Sequence, residues 1–175
     1  APGGPFGVGS YSDLRDLCVW ADRAAGSLVG TLPLFPAFLD RPFDPSPYAP
    51  ISRLMWNELF IDPREAPEWS SPDVQRGAIS VLSSRAAASM RTGPLVDYRG
   101  AWNIARRVLS KMAAVARASP RRWAEVVSQA SAETMRYAFF RAAVDATGTC
   151  WDAWPAAWRL GRIDPGQPAR HHADV

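Results

Sequence analysis

The sequence predicts an α/β protein that is rich in helix, and three observations carry that reading. A capped amphipathic helix stops at Gly26 and leads straight into the eight-residue apolar run Ser27–Leu34, which contains β-branched Val29 and Thr31. Helix, glycine and a strand apolar on both faces, in succession, belong to layered α/β architecture. Beyond residue 63 the composition shifts toward Ala, Arg and Glu, with apolar residues at helical spacing.

The elements follow in order. Residues 1–9 hold four glycines and two prolines, and Ser10-Tyr11-Ser12-Asp13 then pairs a hydroxyl cap with a carboxylate three residues on, a helix start. From Asp13, Leu14, Leu17, Cys18, Ala21 and Ala25 recur on one side and Arg15, Asp16, Asp22 and Arg23 on the other. Gly26 is expected to end this helix in the left-handed conformation. Residues 27–34 form the expected buried strand.

Phe35 to Arg53 is irregular and carries five prolines, including the run Phe43-Asp44-Pro45-Ser46-Pro47-Tyr48. A loop of that length after a strand is a candidate for function. Leu59–Ile61 is expected to be a short extended piece closed by Pro63. Ser71-Pro72-Asp73 opens a helix to about Arg91, before Thr92-Gly93-Pro94. A second helix runs from Tyr98 or Arg99 to Ala118, with Trp102, Ala105, Val108, Leu109 and Met112 on one face. Ser119-Pro120 breaks it and caps a third, from Arg121 to about Ala146. From Thr147 the chain is rich in Gly, Pro and Trp, which predicts loops with one helical turn. No internal repeat is apparent.

Composition narrows the function classes. With 47% apolar residues, 16 Pro and 12 Gly, the chain is neither disordered nor collagen-like. No apolar stretch reaches the roughly 18 to 20 residues of a membrane span, and residues 1–5 lack a secretory pattern, so a soluble, cytoplasmic setting is expected. Cys18 and Cys150 have no partner spacing for a disulfide or zinc site and read as core thiols. The net charge is only +3, and 19 arginines against the single Lys111 look like a compositional bias. No nucleic-acid partner is expected.

Several residues are candidates for chemistry, each with a structural alternative. Ligands of parallel α/β folds bind at the C-terminal ends of strands, and the loop after residue 34 offers Asp44, Ser46, Tyr48 and Asn57. Equally, Ser-Pro-Tyr-Ala-Pro is turn chemistry, the Tyr48 ring can pack, and Asn57 can cap a backbone. Among eight tryptophans, Trp151, Trp154 and Trp158 sit close together and could stack on sugar rings, while Trp102 and Trp123 fall on helical apolar faces and read as core. Arg106-Arg107 and Arg121-Arg122 read as solvated helix faces, and His171-His172 as part of a flexible tail. No pair of carboxylates stands at two strand ends as glycoside chemistry would need.

The order Gly7-Val8-Gly9-Ser10-Tyr11-Ser12-Asp13-Leu14, Gly30-Thr31-Leu32-Pro33-Leu34, Ser46-Pro47-Tyr48 and Asn57-Glu58-Leu59-Phe60-Ile61-Asp62 resembles the 4-alpha-glucanotransferases of the amylomaltase type. The match is specific over residues 6–63. Val96-Asp97-Tyr98 is similar to the segment that opens an inserted helical subdomain in that family and extends the resemblance loosely to about residue 162. Two departures stand out: Glu58 follows Asn57 where many members have Pro, and residues 170–175 do not continue into the family's next strand, although His171 or His172 lies near a family histidine.

The resemblance implies part of a (β/α)8 TIM barrel with a mostly α-helical insertion. Residues 1–63 would be the N-terminal part of the catalytic barrel with a substrate loop at 35–57, residues 64–168 the insertion, and 169–175 a flexible tail. It also implies a transferase that moves α-1,4-glucan segments between maltooligosaccharides by retaining double displacement. Ser46, Pro47 and Tyr48 would line donor-sugar subsites, and Asn57 would support that wall. The nucleophilic Asp, the acid/base Glu and a further Asp of the family lie on later strands, so this chain is expected to be a fragment without catalytic residues and inactive alone. No metal or organic cofactor is required. The alternative is a non-catalytic helical module that binds a glucan or a protein.

Overall fold

A computed structural model describes residues 6–40, 42–83 and 95–163. It contains six α-helices among those residues: α1 (Tyr11–Arg23), α2 (Pro72–Leu82), α3 (Tyr98–Ala118), α4 (Pro120–Gln129), α5 (Ala132–Thr147) and α6 (Ala156–Arg159). The sheet among the described residues is one antiparallel pair, β1 (Phe38–Leu39) with β2 (Phe43–Asp44), in which Phe38 faces Asp44 and Leu39 faces Phe43. The chain divides into two compact units, Ala1–Leu34 with Asn57–Glu125, and Phe35–Trp56 with Val126–Val175.

In the first unit, α1 starts as its sequence requires. The Ser10 hydroxyl accepts from the Asp13 N–H (3.1 Å) and the Asp13 carboxylate accepts from the Ser10 N–H (2.8 Å), a reciprocal capping box. Its end differs from expectation. Ala25, not Gly26, takes the left-handed conformation, at φ 59°. The Gly26 N–H reaches the Ala21 carbonyl (2.7 Å) and the Ala25 N–H reaches that of Asp22 (2.9 Å), the two bonds of a Schellman motif. Gly26 fits closely there, because a Cβ would stand 3.0 Å from the Ala21 carbonyl oxygen, tighter than an ordinary contact.

The buried strand expected at residues 27–34 is not formed. Leu28 is 88% exposed and Leu32 61% exposed, and no strand pairs with the segment among the described residues. An extended segment becomes a strand only when a neighbour takes its backbone hydrogen bonds and side chains cover its faces. For the same reason the α/β layering is absent here, and the described chain is helical with little sheet. The apolar side of α1 is likewise uncovered: Leu14 and Leu17, with Leu34 and Phe60, line an open hollow of about 240 Å3. Cys18 is therefore exposed and Cys150 half-buried, and neither is a core thiol.

The core of this unit is built where helical periodicity is strongest. α3 buries Trp102, Ala105, Val108 and Met112 along one stripe, as its spacing predicts, whereas Leu109, expected on the same face, is only half-buried. α2 packs on it with Val74 and Ala78. Gly77 lets the Lys111 stem lie close, since a Cβ there would meet Lys111 Cδ at 2.5 Å. The expected continuation of α2 to Arg91 lies outside the described residues beyond position 83. Leu59–Ile61 is not extended: Glu58–Phe60 form a 3-10 turn because the Asn57 side chain accepts from the Leu59 N–H and caps it.

Arg122 forms ion pairs with Glu68 (2.6 Å) and Glu125 (3.0 Å), and this holds the Glu68 carboxyl below its ordinary pKa. Arg106 lies 5.8 Å above the Trp102 ring. Trp123 is exposed rather than core.

The second unit holds the small hairpin and the helices from residue 126 onward. The single helix expected over residues 121–146 is two, broken at Ala130-Ser131. The Ser131 side chain accepts from the Thr134 N–H (3.1 Å) and caps α5 anew, an option a serine offers wherever the backbone is not packed on both sides. Gly148 ends α5 at φ 60°, and the following 3-10 turn (Trp151–Ala153) and α6 turn back on it. Phe140, Ala143, Val144, Trp154, Trp158 and Ile163 pack together there. Arg141 Nη2 reaches Asp40 Oδ2 at 3.2 Å and ties the hairpin loop to α5. His171 and His172 and the tail at 169–175 lie outside the described residues.

Candidate functional site

The Ser-Pro-Tyr loop follows β2 and is shaped by its own side chains. The Asp44 carboxylate accepts from the Ser46 N–H (3.0 Å), the Ser46 hydroxyl accepts from the Tyr48 N–H (3.3 Å), and the Ala49 N–H donates to the Ser46 carbonyl (3.3 Å). These successive Asx and hydroxyl turns wind the chain from residue 44 to residue 49. The Ile51 N–H donates to the Pro36 carbonyl (2.8 Å) and closes the loop base. Pro47 is half-buried and fixes its own φ.

The consequence is the position of Tyr48, which is 69% exposed and whose hydroxyl has no hydrogen-bond partner among the described residues. Among the described residues no core covers its ring. A rigid turn that presents an exposed phenol can stack on an apolar ligand face and give or accept one hydrogen bond. Ser46, by contrast, already uses its hydroxyl on the turn.

Asn57 belongs to the first unit, whereas Ser46, Pro47 and Tyr48 belong to the second. It is 5% exposed and engaged on three sides. Its Oδ1 accepts from the Leu59 N–H (3.0 Å), its N–H donates to the Leu34 carbonyl (3.0 Å), and its carbonyl accepts from the Tyr11 hydroxyl (2.9 Å). Asn57 thus joins the end of residues 27–34 to the start of α1 and to the turn that follows. Burial pushes the Tyr11 phenol up to about 12, against the pull of its bond to Asn57, and its ring meets Phe60 edge-on at 6.1 Å.

Asp62, in the sequence only the last residue of the Asn57–Asp62 motif, is the electrostatic centre of this corner. It is 8% exposed. Its carboxylate accepts from Arg64 Nε (2.8 Å) and Nη2 (2.6 Å), from the Arg64 N–H (3.0 Å) and from the Ser12 hydroxyl (2.8 Å). The Arg64 guanidinium above all, with its N–H and Ser12, lowers the Asp62 pKa from 3.8 to about 2, against the opposing effect of burial. The sequence signal that could have found it is the Asp62-Pro63-Arg64 turn, with an Arg two residues after an Asp at the start of a proline-led 3-10 helix. Ser12 reaches it from 50 residues away, which no local pattern shows.

Among the described residues no three His, Cys, Asp or Glu side chains gather to hold a metal, and no helix is long and apolar enough to cross a membrane.

The family model for 4-alpha-glucanotransferase matches residues 3–172. Curated 4-alpha-glucanotransferases of Mycobacterium bovis and Mycobacterium tuberculosis are each 28% identical to this chain over 164 residues, covering 88% of it and 22% of their own length. The chain spans about a fifth of the length of these relatives. With nearly all of its residues inside the family model, this chain belongs to the 4-alpha-glucanotransferase family.

Proposed function

We propose that the complete protein transfers segments of α-1,4-glucan between maltooligosaccharides by retaining double displacement, and that residues 1–63 are the N-terminal part of its (β/α)8 barrel. The observation that carries this reading is the match over residues 3–172 together with a Ser-Pro-Tyr loop that presents Tyr48 to solvent. The uncovered apolar side of α1 and the unpaired segment 27–34 support the barrel: strands and helices contributed by further sequence would take the backbone bonds of 27–34 and cover Leu28 and Leu32.

In this reading the chain's own residues bind and orient, and the chemistry is done by carboxylates supplied from further sequence. Tyr48 holds a donor-subsite sugar by its ring face and one hydrogen bond. Ser46 and Pro47 keep the turn that aims it, and within the other unit Asn57 and Asp62 brace the segment from residue 57 to residue 64. Preorganised loops of this kind lower the entropy cost of orienting a substrate.

The test is incubation of the complete protein with maltotriose, followed by chromatography. Glucose together with maltopentaose and longer glucans is expected. Hydrolysis alone, or no product from a folded complete enzyme, refutes the proposal. The 175-residue chain alone is expected to give none of these products, and turnover by it would show that the carboxylates had been misplaced.

A further inference from the structure

We infer that the aromatic concavity between α5 and the Trp151–Arg159 segment binds a glucosyl residue of an α-glucan. The inference rests on the transferase reading for the identity of its ligand, but none of its residues belongs to the Ser46–Tyr48 loop.

The site is built inward from a fixed floor. Gly148, in the left-handed conformation, reverses the chain after α5 so that the 3-10 turn and α6 return over it. Trp154 is buried, and its Nε1 donates to the Thr147 hydroxyl (3.1 Å). Its ring is wedged between Phe140 at 5.4 Å and Trp158 at 5.9 Å, the latter edge-on at 84°. A side chain locked by packing and a hydrogen bond needs no ordering when a ligand arrives. Above this floor is an open hollow of about 190 Å3, below the roughly 300 to 1,000 Å3 that engulfs a drug-sized ligand. It suits one sugar ring whose chain continues outside.

The lining decides the chemistry. Trp151, at the edge, is 46% exposed and offers an aromatic surface. The C–H faces of a pyranose are apolar and pack on such rings. Arg136 and Arg159 stand at the rim. Arg136 is held only loosely by Glu133, at 3.8 Å, and the Arg159 guanidinium has no partner among the described residues. A guanidinium presents parallel N–H donors, which match the oxygens of neighbouring sugar hydroxyls. Among the described residues no carboxylate lines the hollow. The mainly aromatic surface between the two guanidinium groups is what favours a sugar ring, since a small anion has no apolar face to pack on it.

The test is affinity electrophoresis of the complete protein in gels containing amylose, with maltoheptaose as the competing probe. Trp151→Ala and Arg159→Ala are each expected to weaken retention about tenfold in apparent Kd. Trp151→Phe should keep most of it, and Trp20→Ala, at an exposed tryptophan of the first unit, should leave it unchanged. Retention undiminished in both site variants overturns the inference, as does a fall in thermal stability of Trp151→Ala with unaltered retention, which would make the hollow a packing surface. Release by inorganic phosphate but not by maltoheptaose also overturns it. Failure here is separable from failure of the transferase reading, because wild-type turnover of maltotriose is scored independently of retention.

Discussion

Replacing Asp62 by Asn removes the charge from the carboxylate that joins α1 to the segment 57–64, while keeping its shape. Four donors meet that carboxylate, two of them from one guanidinium in a bidentate fork. A pKa lowered from 3.8 to about 2 corresponds to at most ~2.4 kcal/mol of extra stability at neutral pH, at ~1.36 kcal/mol per unit. The Arg64 side chain is 58% exposed, so solvent screening reduces this to about 1–2 kcal/mol. The sign follows from the direction of the shift. A carboxylate whose pKa is depressed on folding contributes fully above its unfolded value of 3.8, and the contribution is lost as pH falls from about 5 through 2. Urea unfolding of the wild type and Asp62→Asn should therefore differ by about 1–2 kcal/mol at pH 7 and by about half as much at pH 3. Asp16→Asn, at an exposed carboxylate, controls for loss of any acid and should change little. A difference that stays the same at both pH values, or one below ~0.5 kcal/mol at pH 7, would refute the electrostatic account of this corner.

Two further predictions concern single residues. Ala25→Gly should stabilise the chain by about 1 kcal/mol in the same unfolding assay, because glycine occupies the left-handed region without the Cβ clash that alanine bears at φ 59°; a loss of stability would contradict it. Tyr48→Phe in the complete enzyme should lower kcat/KM for maltotriose by the equivalent of one hydrogen bond, about 0.5–1.5 kcal/mol, without lowering stability, since the phenol is exposed and unpartnered among the described residues. Unchanged kinetics would leave Tyr48 with only a turn role.

What the sequence determined by itself is what depends on neighbours a few residues away. The Ser10–Asp13 capping box, the buried stripe of α3 from Trp102 to Met112, and the turn chemistry of Asp44, Ser46 and Pro47 all rest on spacings that one helical turn or one β-turn converts directly into contact. The ordered motifs from Gly7 to Asp62 also pointed to the family. Tertiary structure decided the rest. Residues 27–34 have strand-like composition but no strand pairs with them among the described residues, so Leu28 and Leu32 remain in solvent, as does Cys18. The break at Ser131 and the choice of Ala25 over Gly26 as the left-handed residue are local too, set by the Ser131 cap on the Thr134 N–H and by the Gly26 and Ala25 bonds to the carbonyls of Ala21 and Asp22, but each competes with an equally local alternative. The meeting of Ser12 with Asp62 and of Tyr11 with Asn57 joins residues about 50 positions apart. Local pattern carries no information about such pairs, because their energy is realised only after the chain between them has folded.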